Sequence, residues 1–159
     1  EECKADVLGL YMVTKLIDMK ELDGDLEDFY VTFVASVYRS VRFGASSAHG
    51  KANMITFNTL MNSGCLESTN KGMKVDVAKM RLAIESLAAE LLILQGDGNV
   101  DGVNTMLSGR GKIGDSLKTQ LDGLNAANIP VDIVFDQGIR TLGLEKYTEE
   151  AADSKGERK

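Results

Sequence analysis

The cleanest periodicity in the chain lies between residues 26 and 43. Leu26, Phe29, Tyr30, Phe33, Val34, Val37, Tyr38 and Val41 recur at three- and four-residue intervals, the spacing that aligns side chains on one face of an α-helix. Asp25 stands just ahead of this stripe, where a carboxylate can cap free N–H groups at the positive end of the helix. Looser patterns predict five more helices. Residues 3–20 carry Leu10, Val13, Leu16 and Ile17 and stop at Asp23-Gly24-Asp25. Gly44-Ala45-Ser46-Ser47 is a break with a capping residue, and the helix after it, 47–63, carries Ala48, Ala52, Ile55 and Leu60 as far as Gly64. The longest helix spans 76–95, with Val77, Met80, Ile84, Leu87, Leu91 and Leu94 in its stripe and Gly96-Asp97-Gly98 as its end. Shorter ones follow at 100–108 and 115–127.

Residues 66–74 read as a polar connection. Val131-Asp132-Ile133-Val134-Phe135, after Pro130, is the one strand the pattern predicts. A lone strand needs a partner, which we expect from chain outside this sequence. Thr148 to Lys159 is charged without apolar periodicity and is expected to fray. The expected fold class is therefore mainly α, about six helices with one short C-terminal strand, divided into a folded part at 1–146 and a charged tail at 147–159.

Composition narrows the function classes. A chain of 159 residues with 43% hydrophobic content can bury a core of its own. No apolar run approaches the ~20 residues of a membrane span. The net charge of -6 argues against nucleic acid, whose phosphates need a concentrated positive surface. Cys3 and Cys65 are too few for a disulfide framework and are expected to be reduced and buried. The chain lacks an initiator Met and begins inside a helical pattern, so we expect further sequence upstream. No signal peptide is visible; the compartment stays open, with the cytoplasm favoured.

Several short motifs invite a chemical reading. Gly109-Arg110-Gly111-Lys112-Ile113-Gly114 has dinucleotide-fingerprint spacing but follows a helix, not a strand, and reads as an interhelical turn. Asp97-Gly98-Asn99-Val100-Asp101-Gly102 begins like a calcium loop, yet Ser108 stands where the bidentate Glu belongs. It reads as one helix ending and another starting. His49, the single histidine, is by itself a structural residue, since a triad needs convergent partners. Glu1, Glu2 and Asp6 crowd the first helical turns. The helix dipole alone explains such a cluster. Glu2 and Asp6 are also i and i+4 on one face, where a carboxylate can complete a zinc shell begun by histidines elsewhere. Spacing leaves both readings open.

A resemblance separates them. Glu1-Glu2-Cys3-Lys4-Ala5-Asp6, followed by an apolar helix, resembles the EEC-(K/R)-A-(D/E) signature of the dipeptidyl peptidase III family of zinc peptidases. Tyr38-Arg39-Ser40-Val41-Arg42 and Ala48-His49-Gly50-Lys51-Ala52-Asn53 resemble that family's AHxxAR helix, in the right order and at a fitting distance. The resemblance runs more loosely to Asp132. It implies that residues 1–146 are the C-terminal part of the helical, zinc-bearing lobe of a larger two-lobed enzyme that removes N-terminal dipeptides from peptides. By the same resemblance Glu2 is the third zinc ligand, and Glu1 and Asp6 orient the zinc-binding histidines. His49 is the catalytic group that hydrogen-bonds substrate or the developing oxyanion.

Two departures carry consequences. Asn53 occupies a substrate-binding position where the family has Arg, and it cannot grip a carboxylate bidentately. Strict dipeptide release is therefore open, with Arg39 or Arg42 as candidate replacements. No HExxGH motif occurs, so two zinc ligands and the general base are missing, and the isolated chain is expected to lose zinc and be inactive. The expected partners are a peptide substrate and the remainder of the parent polypeptide. The rival reading is a non-catalytic helical protein-interaction module; a parent that keeps the fold without activity is a third.

Overall fold

Four helices begin on a side chain that accepts a hydrogen bond from their own first turn. Asp25 accepts from Glu27 N–H at 2.9 Å, Ser47 from Gly50 at 3.0 Å, Asp76 from Lys79 at 3.1 Å and Asn99 from Gly102 at 2.8 Å. Each satisfies a donor that the helix itself leaves free. In the computed structural model, which describes residues 1–42, 44–69, 72–129, 137–145 and 147, these caps and the apolar stripes give α1 (Glu2–Asp18), α2 (Leu26–Val41), α3 (Ala48–Asn62), β1 (Leu66–Thr69), β2 (Gly72–Val75), α4 (Val77–Gly96), α5 (Val100–Arg110) and α6 (Asp115–Ala126). The fold is mainly α, as expected.

The chain divides into two units, Glu1–Ala127 and Asn128–Lys159. All the elements above lie in the first. In the second, the described residues form turns, with Leu142 N–H donating to Gly138 O and Leu144 N–H to Ile139 O. The expected strand at 131–135 and the tail from 148 lie outside the described residues.

Helix α3 is the centre of the first unit and packs against α1, α2, α4 and α5. Met54, Ile55, Thr56 and Phe57 are consecutive and all buried, which a helix achieves only when it is surrounded. Helix α1 turns Cys3, Val7, Leu10 and Thr14 into the core, while Val13 and Leu16 flank that face half-buried. The predicted stripe of Leu10, Val13, Leu16 and Ile17 missed this register: it left out Cys3 and Val7, and Thr14 does not score as hydrophobic. The polar atoms of Cys3 and Thr14 are satisfied inside. Thr14 donates to Leu10 O at 3.0 Å and meets the fully buried Tyr30 hydroxyl at 2.9 Å.

The polar connection at 66–74 is a correction. It holds an antiparallel hairpin pairing Leu66 with Val75 and Thr69 with Gly72. Leu66-Glu67-Ser68-Thr69 has no alternation, and only Leu66 is buried, so nothing in the pattern announced a strand. The hairpin is tied into the helices through Gln120, which accepts from the Tyr38 hydroxyl and donates to Ser68 Oγ at 2.9 Å.

The two glycine-rich motifs fall where expected. Gly98 takes a left-handed turn (φ +61) between α4 and the Asn99 cap of α5. Residues 109–114 end α5 and lead into α6, and Asn58 Nδ2 donates to the Arg110 and Lys112 carbonyls at 2.7 and 2.9 Å. Arg110 itself reaches Thr59 Oγ1 at 3.0 Å and pairs with Glu90. Among the described residues, no helix is long and apolar enough to cross a membrane.

Candidate functional site

His49 is the second residue of α3, and its backbone is fixed from two sides. Ser47 caps the helix from before it. Gly50, just after it, is buried against the preceding turn: a Cβ there would lie 2.6 Å from Ala45 Cα. Backbone does not yield to such a contact as a flexible side chain does. Gly50→Ala is therefore expected to lower stability by about 1–3 kcal/mol through overpacking, measured by chemical denaturation, and to displace His49. Unchanged stability would show that the turn at Ala45 moves freely.

Glu2 is placed by its neighbour. Cys3 is turned into the core, its Sγ 3.6 Å from Thr56 Oγ1, whose own proton goes to the Ala52 carbonyl at 3.1 Å. Burial pushes the Cys3 thiol above its usual pKa, so it stays protonated and supplies no thiolate donor. With Cys3 inward, Glu2 faces α3. Its Oε2 lies 3.3 Å from His49 Nδ1, with 43% and 68% of the two side chains exposed. Nδ1 is thus the ring nitrogen turned toward Glu2.

The other predicted residues take separate positions. Glu1 is held by Lys4 at 3.2 Å and by Gln95 Nε2 at 3.0 Å, and is not drawn into the Glu2–His49 pair. Lys4 pulls its pKa below the usual carboxylate range, first through the hydrogen bond and then through its charge. Asp6 and Asn53 line one cavity of about 570 Å³ between α1 and α2, together with Gly9, Ser36 and Ser40. Asn53 Nδ2 donates to Ser40 Oγ at 2.6 Å. No hydrogen bond or ion pair engages Asp6 among the described residues. Arg42, a candidate replacement for the arginine missing at position 53, donates its Nε to Asn125 Oδ1 at 3.1 Å. A second cavity, of about 590 Å³, opens on the other side of the α1 start, walled by Ile55, Leu91 and Leu107 with Glu2 and Lys51 at its edge.

Sequence reasoning gave no role to Ser40, Gln95 or Gly50. Ser40 and Gln95 are ordinary surface polar residues whose partners come from other helices. Gly50 lies inside a quoted motif, but its need for a bare Cα follows only from the turn folded beneath it.

The donor set can be tested against zinc directly. A structural or catalytic zinc takes at least three protein ligands. Glu2 offers one, and no group of three or more His, Cys, Asp or Glu side chains that could hold a metal ion occurs among the described residues. These residues alone do not fit the ion.

The structure of dipeptidyl-peptidase III from Corallococcus sp. strain EGB matches 91% of this chain with a TM-score of 0.78 and 32% sequence identity. The structure of DPP III from Caldithrix abyssi matches 85% with the same TM-score, 0.78, and 31% identity. Over the matched length the chain is similar in fold to these dipeptidyl-peptidase III structures. It spans 27% and 26% of those two chains, so this is a piece of the dipeptidyl-peptidase III architecture and not the whole of it. Among curated proteins, the chain is 38% identical to Nudix hydrolase 3 of Arabidopsis thaliana over 135 residues, 84% of this chain and 18% of that protein. That name describes a protein of which less than a fifth is matched. No protein-family model matches the chain.

Proposed function

We propose that this chain is the C-terminal part of a zinc-dependent exopeptidase of the dipeptidyl-peptidase III type, which releases dipeptides from the N-terminus of oligopeptides. One observation carries the reading: Glu2 and His49, each assigned a role from its own motif, meet at 3.3 Å from separate helices. Two motifs matched by chance on separate helices have no reason to bring these two side chains together.

In this reading Glu2 is the third zinc ligand. The two histidines and the general-base Glu come from an HExxGH-type motif elsewhere in the parent, since the described residues lack a metal cluster. Held by the full set, a zinc ion would supply Lewis-acid chemistry at the site. This chain's residues position and orient. Asp6, on the Glu2 face and without a partner of its own, accepts the second N–H of a ligating histidine and fixes its ring. The α1–α2 cavity beside it is where that histidine enters. Glu1 takes a similar orienting role once it leaves Lys4 and Gln95. His49, oriented through Nδ1 by Glu2, presents Nε2–H to the oxyanion. Asn53, bound to Ser40, offers substrate a neutral amide in place of a guanidinium, which loosens selection for a carboxylate.

The isolated chain is inactive and holds no zinc in this account. The folded module is taken to run from residue 1 to 146, with 147–159 as a charged tail. The rival reading, a non-catalytic helical interaction module, draws on the exposed apolar residues of α1 and α4. The complete gene product separates the two. It is expected to carry about one zinc per chain and to release dipeptides from a peptide with a free N-terminus. A complete product with neither an HExxGH-type motif nor bound zinc sinks the peptidase reading.

A further inference from the structure

Helices α1 and α4 are apolar on two sides. Both pack on α3 and on each other, and side-chain links at both ends set them antiparallel: Asp18 to Arg81 at 2.5 Å and Glu1 to Gln95 at 3.0 Å. Their core faces are buried as any amphipathic helix requires. Opposite those faces, α1 shows Ala5 and Met12, with Met19 just past its end, and α4 shows Leu82, Ala89 and Ile93. Met19, Leu82 and Ile93 keep 66%, 67% and 61% of their surface exposed. Glu85 and Ser86 are the polar positions within the outer stripe of α4. A helix that is apolar all round belongs inside a protein, and a contiguous apolar patch of this kind marks an interface.

We infer that the outer face of the α1–α4 pair is the surface on which further helices of the same, longer polypeptide pack, making these two helices a middle layer. The solved relatives supply the length: this chain matches 27% and 26% of them, leaving about three quarters of each to be placed around the shared piece. The face fits an apolar helical layer and not a charged ligand, because it carries no basic or acidic cluster. It is also continuous with the helix that bears Glu2 and Asp6, although the inference does not depend on the chemistry there.

Thiol reactivity at single positions tests this in the complete gene product. Leu82→Cys and Ile93→Cys replace exposed side chains with a smaller one and leave the core untouched. A maleimide should label each roughly 100-fold more slowly in the native protein than in denaturant, because access then needs a local opening of the covering layer. Site-specific readout by peptide mass separates these positions from Cys3 and Cys65. Equal rates in native and denatured protein would overturn the inference, showing the face open to water. Protection that disappears on dilution would also overturn it, in favour of a second copy of the chain as the cover. Zinc content, measured on the same variants, should stay at the wild-type level, which keeps this result separate from the fate of the metal-site reading.

Discussion

Replacing Glu2 by alanine in the complete polypeptide is expected to lower zinc affinity by more than about 100-fold and to remove peptide hydrolysis with it. Losing a partner outside the ligand shell costs ~10–100-fold in affinity, and a direct ligand is worth more. The same exchange should leave stability nearly unchanged. Glu2 sits at the exposed start of α1, its side chain 43% exposed and, among the described residues, paired with His49. Substitutions at such surface positions fall within about 0.5 kcal/mol. Metal content by atomic emission, set beside thermal unfolding of the chelated protein, reads the two effects apart. Glu2→Gln sharpens the result, since it keeps the shape and removes the charge that holds a cation. Stoichiometric zinc in Glu2→Ala would take Glu2 out of the ligand set.

The sequence and the structure agree where burial is one-sided. The α2 stripe of Leu26, Tyr30, Val34, Val37 and Val41 is the buried face, because one side of that helix meets the core and the other meets solvent. Agreement weakens as packing becomes many-sided. The α3 stripe of Ala48, Ala52, Ile55 and Leu60 left out Met54 and Phe57, both buried, since a central helix has no polar side to contrast with. The hairpin failed for a different reason. Its register depends on Leu66 and Val75 meeting across the turn, a tertiary fact; Gly72-Met73-Lys74-Val75 does alternate, but over four residues and beside a first strand that does not.

The candidate site shows the same division. The residue types of Glu2 and His49 were readable from motifs, but their meeting depends on Cys3 turning inward and on the Ala45 turn lying under Gly50. Neither is periodic. Asn53 was readable as a departure from a pattern, yet its bond to Ser40 and the engagement of Arg42 with Asn125 needed coordinates. At the cavity it shares with Asp6, Asn53 itself brings an amide where the pattern leads one to expect a guanidinium.

His49→Ala is expected to cut kcat by about 10²–10³, the cost of losing one preformed donor to an oxyanion, while zinc stays bound and KM changes little. The separation follows from position. His49 meets Glu2 through Nδ1 and is 68% exposed, so it is bound to neither the core nor any set of donors able to replace a metal ligand. Removing it leaves the Glu2 carboxylate in place, and the affinity for zinc should fall by no more than the ~10-fold expected at the low end for an orienting partner. A residue that serves structure alone gives the opposite signature: stability falls, while the folded fraction turns over at the normal rate. Measuring kcat per bound zinc, together with chemical denaturation, distinguishes the two. His49→Gln adds a third reading, because its amide N–H can partly replace Nε2–H and should recover some of the lost rate. Full turnover per zinc in His49→Ala would return His49 to the structural role that its isolation in the sequence first indicated.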